Sequence, residues 1–170
     1  MQLTFELTET NEQRKLAGAY YTPSETASSL VCWVLRKPTD RLLDPACGDG
    51  QFLQFHDNRV GVEQDAIAAA RARLRAPGAT VHDEDFFAWA KRTPERFDCA
   101  AGNPPFIRYQ RFSGKTRQRA LDLCQSLGAR FSSLSSSWAF LSYHIWRATK
   151  PPWLRITPAV SARTPYMPSN

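Results

Sequence analysis

Asn103, Pro104, Pro105 and Phe106 stand together at the end of a short apolar run, inside the stretch AAGNPPFIRYQ from Ala100 to Gln110. The two prolines fix φ through the turn and have no N–H to donate, so the segment presents carbonyl acceptors with little conformational freedom. A nucleobase amine has two hydrogens to give to such a turn. Accepted by the Asn103 side-chain oxygen and the Pro104 carbonyl, they favour a tetrahedral nitrogen whose lone pair can attack, an effect of positioning and electrostatics rather than of a general base. Phe106 offers a ring on which the base can stack, worth roughly 1 to 3 kcal/mol per base on aromatic platforms. A base inside a duplex would have to be flipped out to reach it.

Three further groups have the residue types of a ligand site. Gly48 and Gly50 in DPACGDGQF permit a tight turn and a close approach of backbone to a ligand. Glu63 follows at the distance where an acid typically holds ribose hydroxyls, which are donors in want of a carboxylate. Asp85, with Phe86 and Phe87 behind it, suits an adenine amino group and ring face. The glycine loop lacks G-x-x-x-x-G-K-[ST] and is not spaced as G-x-G-x-x-G, which disfavours a nucleoside triphosphate or NAD. A cofactor with ribose and adenine but no phosphate fits better, and S-adenosylmethionine is the common one; the amine lone pair would then attack its methyl group.

These residues need elements to carry them. In YYTPSETASSLVCWVL, Thr22 is expected to cap a helix with Pro23 at its first position and Glu25 completing a capping box, and Ala27, Leu30, Val31 and Val34 form one apolar face. RLLDPA at 41–46 and VGVEQ at 60–64 read as strands, and DAIAAARARLRA as a helix capped by Asp65. ATVHDEDFF and RFDCAAG supply third and fourth strands, SSSWAFLSYHIWRAT another helix, and WLRITPAV a fifth strand. Strands alternating with helices require a parallel sheet covered on both faces, with ligands outside the carboxyl ends of the strands.

With 170 residues, 42% of them hydrophobic, the chain can bury one core. Its formal charge of +6 favours polyanionic partners. Arg108, Arg111, Lys115, Arg117 and Arg119 occur with no acid between Pro105 and Ala120, and Tyr109 and Phe112 interleave. As a nucleic-acid contact this segment would grip phosphates in a salt-dependent way; as a solvated surface it would do nothing. Cys32, Cys47, Cys99 and Cys124 form no C-x-x-C pair and read as free thiols, and His56, His82 and His144 are too scattered to suggest a metal site. No apolar run spans a bilayer and the start does not have the layout of a signal peptide, so a cytoplasmic location in a prokaryotic cell is expected, away from membranes.

The ordered set Tyr21-Thr22-Pro23, Asp44-Pro45-Ala46-Cys47-Gly48-Asp49-Gly50, Glu63, Asp85-Phe86 and Asn103-Pro104-Pro105-Phe106 resembles the adenine-specific N6 DNA methyltransferases of the gamma class, known from restriction-modification and related phage-defence systems. The resemblance covers residues 18 to about 160 and implies an open, doubly wound, mostly parallel sheet of the class I S-adenosylmethionine-dependent methyltransferase kind, a Rossmann-like α/β fold. It implies that Tyr21, Thr22, Pro23 and the loop from Asp44 through Ala46 and Gly48 to Gly50 hold the methionine part of the cofactor, with Asp44 near its amino group. Glu63 would take the ribose, and Asp85 with Phe86 the adenine. Asn103, Pro104, Pro105 and Phe106 would form the catalytic set, acting on a flipped adenine of double-stranded DNA.

Two departures go with this resemblance. Lys150-Pro151-Pro152-Trp153 stands where the family usually has a Lys-x-Gly-Gly turn. A sheet of this kind would have seven strands, whereas five are read here, with neither the last hairpin nor a target-recognition domain. Residues 1–17 are expected to be an extension and 18–170 a partial catalytic domain. The edge left after the fifth strand invites a completing chain or specificity subunit, although a truncated remnant is the expectation preferred. An Asn-Pro-Pro-Phe turn also serves methyltransferases acting on ribosomal RNA guanine N2 and, with tyrosine, on release-factor glutamine. Those substrates stay open, as does a chain that only binds cofactor or DNA.

Overall fold

The computed structural model describes residues 22–105, 112–126, 128–130, 137 and 140. Helix α1 (Ser24–Val34) is followed by β1 (Leu42–Asp44), a 3-10 turn at Leu53–Phe55, β2 (Arg59–Glu63), α2 (Ala66–Arg75), β3 (Thr80–Asp83), α3 (Phe86–Arg92), β4 (Cys99–Ala100) and α4 (Gly114–Ser126). The four described strands form one parallel sheet in the order β3-β2-β1-β4. The chain builds outwards from β1 through β2 to β3, then returns to the other side of β1. The direction of winding thus reverses between β1 and β4, and a crevice opens there outside the carboxyl ends of the strands.

Alternation along the strands sends their side chains to two layers. Leu43, Val60, Val62 and Ala100 meet α3 and α4 through Phe86, Phe87, Trp89, Ala120, Leu123 and Cys124. Leu42, Cys99 and Ala101 meet α1 through Ala27, Val31 and Val34, and α2 packs through Ala72 and Ala76 against Cys47, Leu53 and Val81. Fully burying one large apolar side chain stabilises by roughly 1.5 to 3 kcal/mol. The aromatic cluster on α3 therefore anchors the helix that begins at Asp85.

Asp65 caps α2 as its sequence suggested, with its side chain accepting from Ala68 N. At α1 the expectation is corrected. Pro23 has φ −54° and ψ 144°, so it stands outside the helix in the cap position, and its own carbonyl takes the first helical bond from Ala27 N at 2.9 Å. Glu25 is then one position too early for a capping box, and among the described residues the buried Thr22 Oγ1 has no hydrogen-bond partner. The later part of the basic run forms helix α4. Ala120, Leu123 and Cys124 supply its buried face at helical spacing. The fifth strand read at WLRITPAV lies outside the described residues, as does most of the helix read at SSSWAFLSYHIWRAT. Among the described residues, no helix is long and apolar enough to cross a membrane.

Candidate active site

Asp44 ends β1, Glu63 ends β2, Asp85 follows β3, and Asn103 follows β4, so the sheet delivers all four to one edge. An open cleft of about 580 Å³ lies along that edge, lined by Pro45, Ala46 and Glu63 on one side and Pro104, Pro105 and Phe112 on another. Asp85, Phe86, Thr116 and Ser137 complete its inner wall.

The glycine loop spends four of its amide hydrogens inside the protein. Ala46 N donates to Asp44 Oδ1 at 3.3 Å, Cys47 N to the Val62 carbonyl at 3.0 Å, Gly48 N to Glu63 Oε2 at 2.9 Å and Gly50 N to the Cys47 carbonyl at 2.8 Å. A loop that grips phosphate aims such donors at the anion. Here the cleft is left with acceptors. Glu63 is fixed a second time by Asp65 N, which donates to Oε1 at 2.9 Å, and each of its oxygens keeps a further lone pair for a ligand hydroxyl.

Backbone geometry holds the loop in place. Gly50 has φ +86°, and a Cβ there would lie 2.9 Å from the Ala72 Cα of α2, so the loop can rest on α2 only as glycine. Asp49 pairs with Arg75 of α2 at 2.8 Å. A Cβ on Gly102 would run into Asp44 Oδ1, so the turn leaving β4 passes directly over the Asp44 carboxyl. That carboxyl is fully buried, and among the described residues Oδ2 has no hydrogen-bond partner. Burial pushes its pKa up to about 8; the Ala46 amide opposes the rise and the Glu63 charge adds to it.

Asn103, Pro104 and Pro105 are half-buried beside this crevice. Ser137 Oγ donates to the Pro105 carbonyl at 3.1 Å, which fixes the second proline from a distant part of the chain. Ser137, Thr116 and Glu84 are cleft residues to which no sequence spacing points, and Phe112, read from sequence only as an aromatic within the basic run, lines the cleft with them. Of the basic run, Lys115 is exposed on α4, whereas Arg117 lies over the Phe112 and Phe140 rings at 5.6 and 6.0 Å. Arg119 reaches Asp85 at 3.7 Å. Tyr21, Phe106, Arg108, Tyr109 and Arg111 lie outside the described residues.

The donor set can be tested against the cofactor suggested by the sequence. Acceptors at Glu63 and Asp85, a buried carboxyl at Asp44 and a loop whose Ala46, Cys47, Gly48 and Gly50 amides are engaged within the protein fit a ligand rich in donors and positive charge, as S-adenosylmethionine is. They do not fit a diphosphate.

A parallel sheet in the order β3-β2-β1-β4 with its cleft at the reversal is a Rossmann-like arrangement that this chain shares with class I S-adenosylmethionine-dependent methyltransferases. It is similar to a Listeria monocytogenes structure assigned to that class, at TM-score 0.58 and 17% identity, covering 84% of this chain and 49% of that one. A modification subunit assigned to a type I restriction enzyme of Vibrio vulnificus YJ016 matches at TM-score 0.58 and 19% identity, over 83% of this chain and 33% of that one.

Residues 6–72 match the family model for N-6 DNA methylases. The chain is 28% identical over 102 residues to the type II methyltransferase M.CvrRI of Paramecium bursaria Chlorella virus XZ-6E, covering 56% of this chain and 26% of that protein. It is 25% identical over 114 residues to the modification methylase CviBIII of Paramecium bursaria Chlorella virus NC1A, covering 61% of this chain and 29% of that protein. The chain spans less than a third of the length of these curated relatives.

Proposed function

We propose that this chain transfers a methyl group from S-adenosylmethionine to the exocyclic N6 amine of an adenine flipped out of double-stranded DNA. The observation that carries the reading is the placement of an acceptor-lined cleft beside the Asn103-Pro104-Pro105 turn at one sheet edge. The cofactor, when bound, supplies an electrophilic methyl on a sulfonium.

The chain's own residues do the rest. Glu63 accepts ribose hydroxyls, its carboxylate held still by the Gly48 and Asp65 amides. Asp85 accepts from the adenine amine while Phe86 packs behind it. Asp44, with Tyr21, Thr22 and Pro23, serves the methionine end. Asn103 and the Pro104 carbonyl accept the two hydrogens of the target amine, which concentrates its lone pair on the side of the methyl. The Pro105 carbonyl is held by Ser137, which steadies the turn that presents the Pro104 carbonyl. Phe106 stacks the flipped base. Arg108, Tyr109, Arg111, Lys115 and Arg117 contact the DNA backbone.

The test is transfer of labelled methyl from S-adenosylmethionine to DNA, ribosomal RNA and release factor, followed by hydrolysis of the product. Label in N6-methyladenine that disappears in Asn103→Ala supports the proposal. Label in guanine or glutamine instead identifies one of the alternative amine substrates. Cofactor and DNA binding without transfer marks a chain that binds but does not catalyse.

A further inference from the structure

Three carboxylates border the cleft, and each is held differently. Glu63 is fixed by backbone amides, and Glu84 pairs with Arg92 of α3 at 2.5 Å. Asp85 takes the Ala88 amide on Oδ1 at 2.9 Å, which caps α3, and Arg119 Nη1 stands 3.7 Å from the same oxygen. Among the described residues both of these interactions fall on Oδ1, so the second oxygen of Asp85 is the one left for a ligand.

Arg119 belongs to a helix that closes the cleft. Thr116 and Arg119 are three residues apart on α4 and therefore share a face. Thr116 lines the cavity, and so does Phe112, just before the helix. Arg117 fastens the first turn of α4 by donating to the Phe112 carbonyl at 3.3 Å and lying over the Phe112 ring. The segment that follows the catalytic turn in sequence thus returns to wall the cofactor side of the cleft.

Resting on the reading of this cleft as an adenosyl pocket, we propose that Arg119 is a positioning residue. By holding Asp85 Oδ1 it presents the other carboxylate oxygen to the purine edge, so that the site selects an adenine amine over a 6-oxo purine. Arg119 thereby belongs to cofactor selection rather than to the phosphate-gripping set suggested by its place in a basic run. Its side chain is 49% exposed and that of Asp85 12%, so the pair is a partly screened one.

The test is calorimetric titration of the wild-type chain, Arg119→Gln and Arg119→Lys with S-adenosylhomocysteine and with its hypoxanthine analogue. The salt dependence of DNA binding is measured on the same three proteins. Arg119→Gln is expected to bind the adenine ligand about two- to fivefold more weakly, as for a screened pair, and to bind the hypoxanthine ligand unchanged. The preference for adenine shrinks accordingly, Arg119→Lys regains part of it, and the salt slope of DNA binding stays the same. An unchanged preference, with a salt slope shallower by about one phosphate contact in Arg119→Gln, overturns the proposal and returns Arg119 to the DNA-binding set. A folded wild-type chain that binds neither ligand overturns the adenosyl reading of the cleft, and this inference with it.

Discussion

Glu63 Oε2 accepts the Gly48 amide hydrogen at 2.9 Å, across 15 positions of sequence. This bond turns a glycine loop that could have cradled phosphate into the floor of an acceptor-lined cleft. In Glu63→Gln an NH₂ group must face one of the two backbone N–H groups that the carboxylate now satisfies. A hydrogen bond to a charged group contributes roughly 1.5 to 3 kcal/mol, so S-adenosylmethionine should bind about 10- to 100-fold more weakly to Glu63→Gln. Calorimetry measures this directly.

Asp44 gives the fold a pH dependence. Its folded pKa is about 8 against an ordinary value of 3.8, chiefly because burial disfavours the charged form. The folded state then keeps a proton that the unfolded chain releases above pH 4 or so. The stabilisation is complete below the unfolded value and is lost as pH rises through the folded one. Asp44→Asn lacks this titration, so its melting temperature should rise relative to wild type between pH 5 and pH 9. Parallel melting curves across that range would contradict the assignment.

Gly102 and Asp44 should be energetically coupled. The Cβ of Gly102→Ala meets Asp44 Oδ1, and overpacking of a filled site costs about 1 to 3 kcal/mol. In the double variant Gly102→Ala with Asp44→Ala, part of that cost should be recovered, because the obstructing carboxylate is gone. Denaturant titration of the four proteins in the cycle gives the coupling.

The four thiols should differ sharply in reactivity. Cys32 is exposed on α1, whereas Cys47, Cys99 and Cys124 are buried. Burial raises all three, Cys99 to about 12 and Cys124 to about 11, which depletes the nucleophilic thiolate. One equivalent of a thiol reagent should react quickly with the native chain, all of it at Cys32 by peptide mapping. Fast labelling at Cys47 would contradict the described packing of the loop.

The parts of this architecture that sequence reveals are those set by local rules. Asp65 ahead of an alanine-rich run caps α2, and the apolar runs at 42–44 and 59–63 fall in β1 and β2, because capping and alternation are short-range effects. Thr22 misled because Pro23 satisfies the sequence signature of a first helical residue while its ψ of 144° keeps it outside the helix. The bond from Ser137 to Pro105 joins positions 32 apart, and that between Arg119 and Asp85 depends on how α4 folds back on α3. Neither has a local signature. Arg119 shows the consequence, since in sequence it is one cation among several and in the fold it meets a carboxylate of the cleft.

The central claim is that this cleft takes a phosphate-free adenosyl cation. The most direct test is calorimetric titration of the folded chain with S-adenosylmethionine and, separately, with ATP, which has the same adenosine but adds a triphosphate. Saturable binding of S-adenosylmethionine with no binding of ATP is the predicted result. Equal binding of ATP, or a folded chain that takes up no S-adenosylmethionine, would contradict it.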